Sequence, residues 1–295
     1  RWSNNPFVRN LLYSHRKKLF TKWQDVLGEG NYLVSGTFQQ NLLTNMFFFI
    51  PKATSKFEKD PYALGQSFQK SSIPFWRTLG KLIVETPTEN ITALFPMEGL
   101  EYIQEARNRG KGVILLSFHG NPHPGGFLPL AKVLKVEGIP TISYLIPIRQ
   151  SGLHDSVGEI TELEASSLNA EIALYGQKIL QQGGVVNFAS DTNDHSGKTY
   201  NVAIGNRNYQ IKGGFAEMAL NTGASIVPFN RYCLEDGRIK MEFFPPMEIG
   251  EGTREEIVER LVREYGAFIE NCWRTHSDGI SWARINRHLE QKHEN

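Results

Sequence analysis

From about residue 97 the chain alternates two kinds of segment: short apolar runs closed by glycine or a loop, and longer stretches with one apolar face. Gly112 to Phe118 (GVILLSF), Thr141 to Ile146 (TISYLI), Val185 to Ala189 (VVNFA) and Ala224 to Phe229 (ASIVPF) are the apolar runs. Runs of this length predict strands of a parallel sheet buried on both faces. Between them, Glu98 to Arg109, Phe127 to Val136, Ile172 to Gln182 and Gly214 to Thr222 predict helices, with Gly110 and Gly183-Gly184 ending the first and third. Asp191 to Gly213 reads as a polar, glycine-containing excursion, whereas Arg238 to Phe244 alternates and predicts an antiparallel edge strand. Thr253-Arg254-Glu255-Glu256 has the spacing of a capping box. The helix it opens carries Ile257, Leu261, Tyr265, Phe268, Ile269 and Cys272 on one stripe, suited to packing on a sheet. This alternation predicts an α/β fold, a mixed, mostly parallel sheet flanked by helices.

Residues 1–90 follow a different rhythm and predict a helical N-terminal layer, separate from an α/β domain over residues 91–295. Leu11, Leu12, Leu19, Phe20 and Trp23 recur at helical steps among Arg9, Arg16, Lys17, Lys18 and Lys22. Such a basic amphipathic helix suits an anionic membrane surface, and it suits equally a surface helix with solvated lysines. The run Met46 to Ile50 (MFFFI) places three phenylalanines in succession, which cannot all face one core. Lipid, a partner or a second protein layer would receive the remainder, and a buried interdomain helix accounts for the run almost as well. The run is far shorter than the roughly 18 apolar residues of a spanning helix. The chain begins at Arg1 without a signal-peptide pattern, so an upstream anchor stays open.

Composition narrows the classes. Over 295 residues, 40% are hydrophobic and 21% charged, which fits a folded chain with a sizeable core. The net charge is +1 and no long basic block occurs, which argues against a nucleic-acid surface. Cys233 and Cys272 stand apart with no metal-ligand spacing, as in a reduced compartment. No Gly-x-Ser-x-Gly elbow appears at a strand–helix junction, which weakens a serine-hydrolase reading.

The chemistry-bearing stretch is residues 117–126, SFHGNPHPGG, at the carboxyl end of the first long apolar run. His119, His123, Asp191, Asp194 and His195 would form an oxygen/nitrogen metal set if they converged, but His119 and His123 lie in a Gly/Pro loop rather than on a helix face. Read with later segments, the stretch carries a family likeness. His119-Gly120-Asn121, Gly183 to Asp191, Ala203-Ile204-Gly205, Gly213 to Ala219, Ile226-Val227-Pro228 and Trp273 to Arg284 fall in the order seen in the bacterial lipid A (lauroyl/myristoyl) acyltransferases, within the lysophospholipid acyltransferase superfamily. The chain resembles that family over roughly residues 95–290.

The resemblance implies acyl transfer from an acyl thioester, on acyl-CoA or acyl carrier protein, to a hydroxyl of a lipid or glycolipid, with no further cofactor. In such a reaction a histidine accepts the hydroxyl proton, and a carboxylate on its other ring nitrogen fixes the tautomer. The family keeps an Asp or Glu after four intervening residues; here that position is Pro124, with His123 beside it. His119 is thus the candidate base, and His123 or an aspartate of the 191–194 loop is the candidate partner. Asp191 and Asp194 either reach His119 or close an Asx-type turn. Gly120 and Asn121 are implied for the oxyanion and acyl-thioester site, and Arg149 and Asp194 for substrate binding. The resemblance places the protein peripherally on the cytoplasmic side of a membrane. The competing reading is an inactive acyltransferase-like subunit that binds lipid or serves a membrane-associated complex.

Overall fold

A computed structural model describes residues 86–119, 127–143, 168–191, 198–205, 207–234 and 239–276. The N-terminal layer anticipated over residues 1–90 falls almost wholly outside the described residues. Within them lie helices α1 (Thr88–Leu94), α2 (Leu100–Asn108), α3 (Leu128–Val136), α4 (Leu168–Gln181), α5 (Gly214–Thr222) and α6 (Arg254–Thr275). The strands are β1 (Met97–Glu98), β2 (Val113–Ser117), β3 (Thr141–Ser143), β4 (Val185–Ala189), β5 (Thr199–Ile204), β6 (Arg207–Lys212), β7 (Ser225–Cys233) and β8 (Ile239–Phe243).

Six strands form one sheet in the order β1-β8-β7-β2-β4-β3. The β2–β4, β2–β7, β3–β4 and β1–β8 pairs are parallel, and β7–β8 is antiparallel. The sheet is mixed and mostly parallel, flanked by helices, as the alternation of segments requires. β8 departs from the expected edge position: it runs antiparallel to β7, but the short β1 pairs along its outer side. The stretch read as a polar excursion contains a second departure, the antiparallel hairpin β5–β6.

The central strand β2 is buried at every residue, and its period-two alternation divides the core. Ile114 and Leu116 face one apolar layer, with Ile179 and Leu180 of α4, Phe215 and Ala219 of α5, and Leu261 and Tyr265 of α6. Val113 and Leu115 face the other, with Ile91 of α1, Ile103 of α2, and Leu130 and Leu134 of α3. β2 contributes side chains to both layers.

Local chemistry sets the ends of the longest helix. Thr253 caps α6, its hydroxyl accepting from the Glu256 amide while the Glu256 carboxylate accepts from the Thr253 amide at 2.8 Å. The anticipated stripe is buried at Ile257, Leu261, Tyr265, Ile269 and Cys272, and Val258, Val262 and Trp273 widen it. Through this face α6 covers the sheet and the β5–β6 hairpin together. At the other side of the fold Gly99 precedes α2 with φ of 81°, where a Cβ would lie 2.3 Å from the Phe243 carbonyl oxygen. Only glycine meets both the left-handed backbone and that approach to β8.

Candidate active site

The parallel strands β2, β4 and β7 bring their carboxyl ends to one edge of the sheet, where crevices form in open α/β folds. β2 and β4 pair with Ser117 opposite Ala189, so the two chains leave the sheet side by side. Two residues past that pair stand His119 on one chain and Asp191 on the other. Their proximity follows from register.

The contact has two parts. The His119 backbone N–H donates to Asp191 Oδ2 at 2.9 Å, and ring Nδ1 lies 2.7 Å from Asp191 Oδ1. An ionised carboxylate only accepts hydrogen bonds, so opposite it Nδ1 carries the proton and Nε2 is the basic nitrogen. The Asp191 side chain is 0% exposed and that of His119 27% exposed. The carboxylate is thus held inside the protein while the imidazole is partly exposed.

Surrounding groups fix the two strand ends. Ser117 Oγ donates to the Phe188 carbonyl at 3.2 Å, tying β2 to β4 just below the site. The Tyr265 hydroxyl, from α6, donates to the Ser117 carbonyl, and the Tyr209 hydroxyl, from β6, lies 3.5 Å from the Asp191 carbonyl. The Phe118 ring meets Trp273 and Phe268 edge-on, with centroids 6.3 and 6.1 Å apart. From β7, buried Arg231 donates through Nη2 to the Phe118 carbonyl at 3.1 Å. Burial lowers the Arg231 pKa to about 10, against the opposing pull of the Asp191 carboxylate, so the guanidinium stays charged at neutral pH.

Of the residues singled out from sequence, the structure brings together His119 and Asp191. Both Asp191 carboxylate oxygens cross to the neighbouring strand. Gly120, Asn121, His123, Arg149, Asp194 and His195 lie outside the described residues. Among the described residues no group of three or more His, Cys, Asp or Glu side chains is placed to hold a metal ion. Nor is any helix among them long and apolar enough to cross a membrane. Arg231 and Tyr209 were not anticipated from the sequence, and Tyr265 was anticipated only as part of the packing stripe of α6. The available signal for Arg231 was a charge directly after the run Ile226 to Asn230 of β7, close after Pro228.

No protein-family profile matches the chain, and no curated protein sequence does. Among solved structures, a 1-acyl-sn-glycerophosphate (LPA) acyltransferase, PlsC, from Thermotoga maritima is similar at 16% identity and a TM-score of 0.33, over 77% of this chain and 97% of that one. A likeness at that level decides neither fold nor function, and the chemistry of the site has to carry the functional reading.

Proposed function

We propose that the protein is an acyltransferase that moves a fatty acyl group from an acyl thioester to a hydroxyl of a lipid or glycolipid. The observation that carries this reading is the 2.7 Å contact between His119 Nδ1 and a fully buried Asp191 carboxylate. It supplies the base-and-acid pairing that the Pro124 position of the loop lacks. The family resemblance of the surrounding segments supports the same chemistry.

In this reading His119 Nε2 removes the acceptor's hydroxyl proton as the oxygen attacks the thioester carbonyl carbon. The carbon–oxygen bond forms, the tetrahedral intermediate collapses, and the carbon–sulfur bond breaks. The imidazolium then returns the proton to the departing thiolate. Asp191 holds the imidazole in the Nδ1–H tautomer and balances its charge during the step. We assign Gly120 and Asn121 to the oxyanion and acyl-thioester site, and Arg149 and Asp194 to the acceptor. These assignments rest on the resemblance, as does His123 as an auxiliary partner. The proposed setting is peripheral, on the cytoplasmic side of a membrane.

The test incubates purified protein with radiolabelled acyl-CoA or acyl carrier protein and a panel of lysophospholipid and glycolipid acceptors. Labelled product from wild type, and its loss in His119→Ala, is the expected result. Wild-type turnover in His119→Ala would remove His119 as base. A wild-type protein that binds the lipids but forms no product across the panel would instead establish the inactive, lipid-binding subunit.

A further inference from the structure

Asp191 presents a physical problem that the site chemistry above does not resolve. Its side chain is 0% exposed, and a neutral imidazole brings no positive charge to it. Burial favours the protonated form of a carboxylate, against the two hydrogen bonds that Asp191 accepts from His119. A protonated Asp191 would be a donor as well as an acceptor, and Nδ1 would no longer be held as the protonated nitrogen.

We infer that Arg231 is the positioning residue of the His119–Asp191 pair: its buried guanidinium keeps Asp191 an anionic acceptor and anchors the backbone that leads into His119. Two geometric facts support this. Arg231 is 7% exposed, on the β7 segment that runs past the end of β2, and its Nη2 binds the carbonyl of Phe118, the residue immediately before His119. Its charge also attracts Asp191 across the same space. One side chain therefore touches the backbone of the base and the field of the acid.

Other titratable groups lie on the elements that pack around Arg231 and the pair. Tyr209 of β6 and Tyr265 of α6 are buried, with their hydroxyls at the Asp191 and Ser117 carbonyls. Cys272 of α6 is neutral near pH 7, its thiol pushed up by burial. Lys212 ends β6, its backbone N–H bonded to the Ser190 carbonyl, but its side chain is only half-buried. On β8, Glu242 pairs in register with Asn230, and Lys240 forms an ion pair with Glu98. Arg231 is thus the fully buried cation in this set, and burial makes its field count most.

The inference rests on the proposed pairing of His119 with Asp191, and its test needs no substrate. Arg231→Gln keeps hydrogen-bond donors and removes the charge; Arg231→Lys keeps the charge. NMR of the His119 ring in the intact protein follows proton uptake by the coupled pair. Loss of a nearby positive charge makes the pair hold its proton more tightly. The pair should therefore take up its first proton about one pH unit higher in Arg231→Gln than in wild type, while Arg231→Lys follows wild type. Equal curves in all three proteins overturn the inference, as does an equal shift in the Lys variant. If Arg231→Gln fails to fold, removing both charges in Asp191→Asn/Arg231→Gln should restore folding, and its failure to do so overturns the inference. A protein inert toward every acyl donor that still shows the shift supports the role of Arg231 and defeats the acyltransferase reading.

Discussion

Asp191 holds His119 from the neighbouring strand, gripping both its backbone amide and its Nδ1. The amide bond aligns the carboxylate, and the ring bond fixes the tautomer. Asp191→Asn keeps the size but allows an amide N–H to face Nδ1, which favours the wrong tautomer. Acyl transfer should fall by about 10⁴ in kcat, with melting temperature changed far less. A variant retaining wild-type kcat in the labelled acyl-CoA assay would show that Asp191 is not the partner of the base. His119 was legible in the sequence because it ends an apolar run and sits in a glycine loop. Asp191 was legible only as one of several partners, since nothing along the chain reports which strands lie adjacent. Arg231 was legible only as a charge following the apolar run of β7, since a buried arginine and a solvated one look the same in sequence.

Among the elements, those with a complete local signal appeared as expected. The apolar runs became β2 and β4, Gly214 to Thr222 became α5, and Thr253 and Glu256 closed the capping box of α6. The hairpin β5–β6 was misread although its pattern was available. Val202, Ile204, Tyr209 and Ile211 are buried, while Asn201, Ala203, Asn208 and Gln210 between them are exposed, the period of a half-buried strand pair. The polar alternate residues masked it when the segment was read as a loop. The hairpin lies close under α6: at Gly266 a Cβ would stand 2.2 Å from Val202 Cγ1. Alanine raises helix propensity by about 1 kcal/mol, but overpacking so tight a contact costs about 1–3 kcal/mol. Gly266→Ala should therefore destabilise the protein in urea unfolding. Adding Val202→Ala should recover part of that loss; fully additive losses would show that the two residues do not press on each other.

For the whole molecule, the two apolar layers on either face of β2 should act as one cooperative unit. Ile114 belongs to one layer and Leu115 to the other, and both are completely buried. Truncation of either to alanine should cost about 2–5 kcal/mol. Both variants should shift a single transition, coincident by circular dichroism and tryptophan fluorescence. Two separated transitions would mean that the layers fold independently. The fold class was readable at this scale because strand and helix periods differ and alternate. Strand order was not: β2 lies between β4 and β7, and β8 beside β7, through contacts between residues far apart in the chain.

The side-by-side exit of β2 and β4 gives the acid an address of a different kind. It is specified by position across the sheet, two steps beyond the Ser117–Ala189 pair, and not by a count of residues along the loop after the histidine. A loop relieved of supplying the carboxylate can gain, lose or exchange residues, as Pro124 illustrates, without moving the partner of His119. Relatives with this arrangement would be invisible to any search for a fixed His-to-acid interval. They would be found by asking which residue lies abreast of the histidine on the next strand.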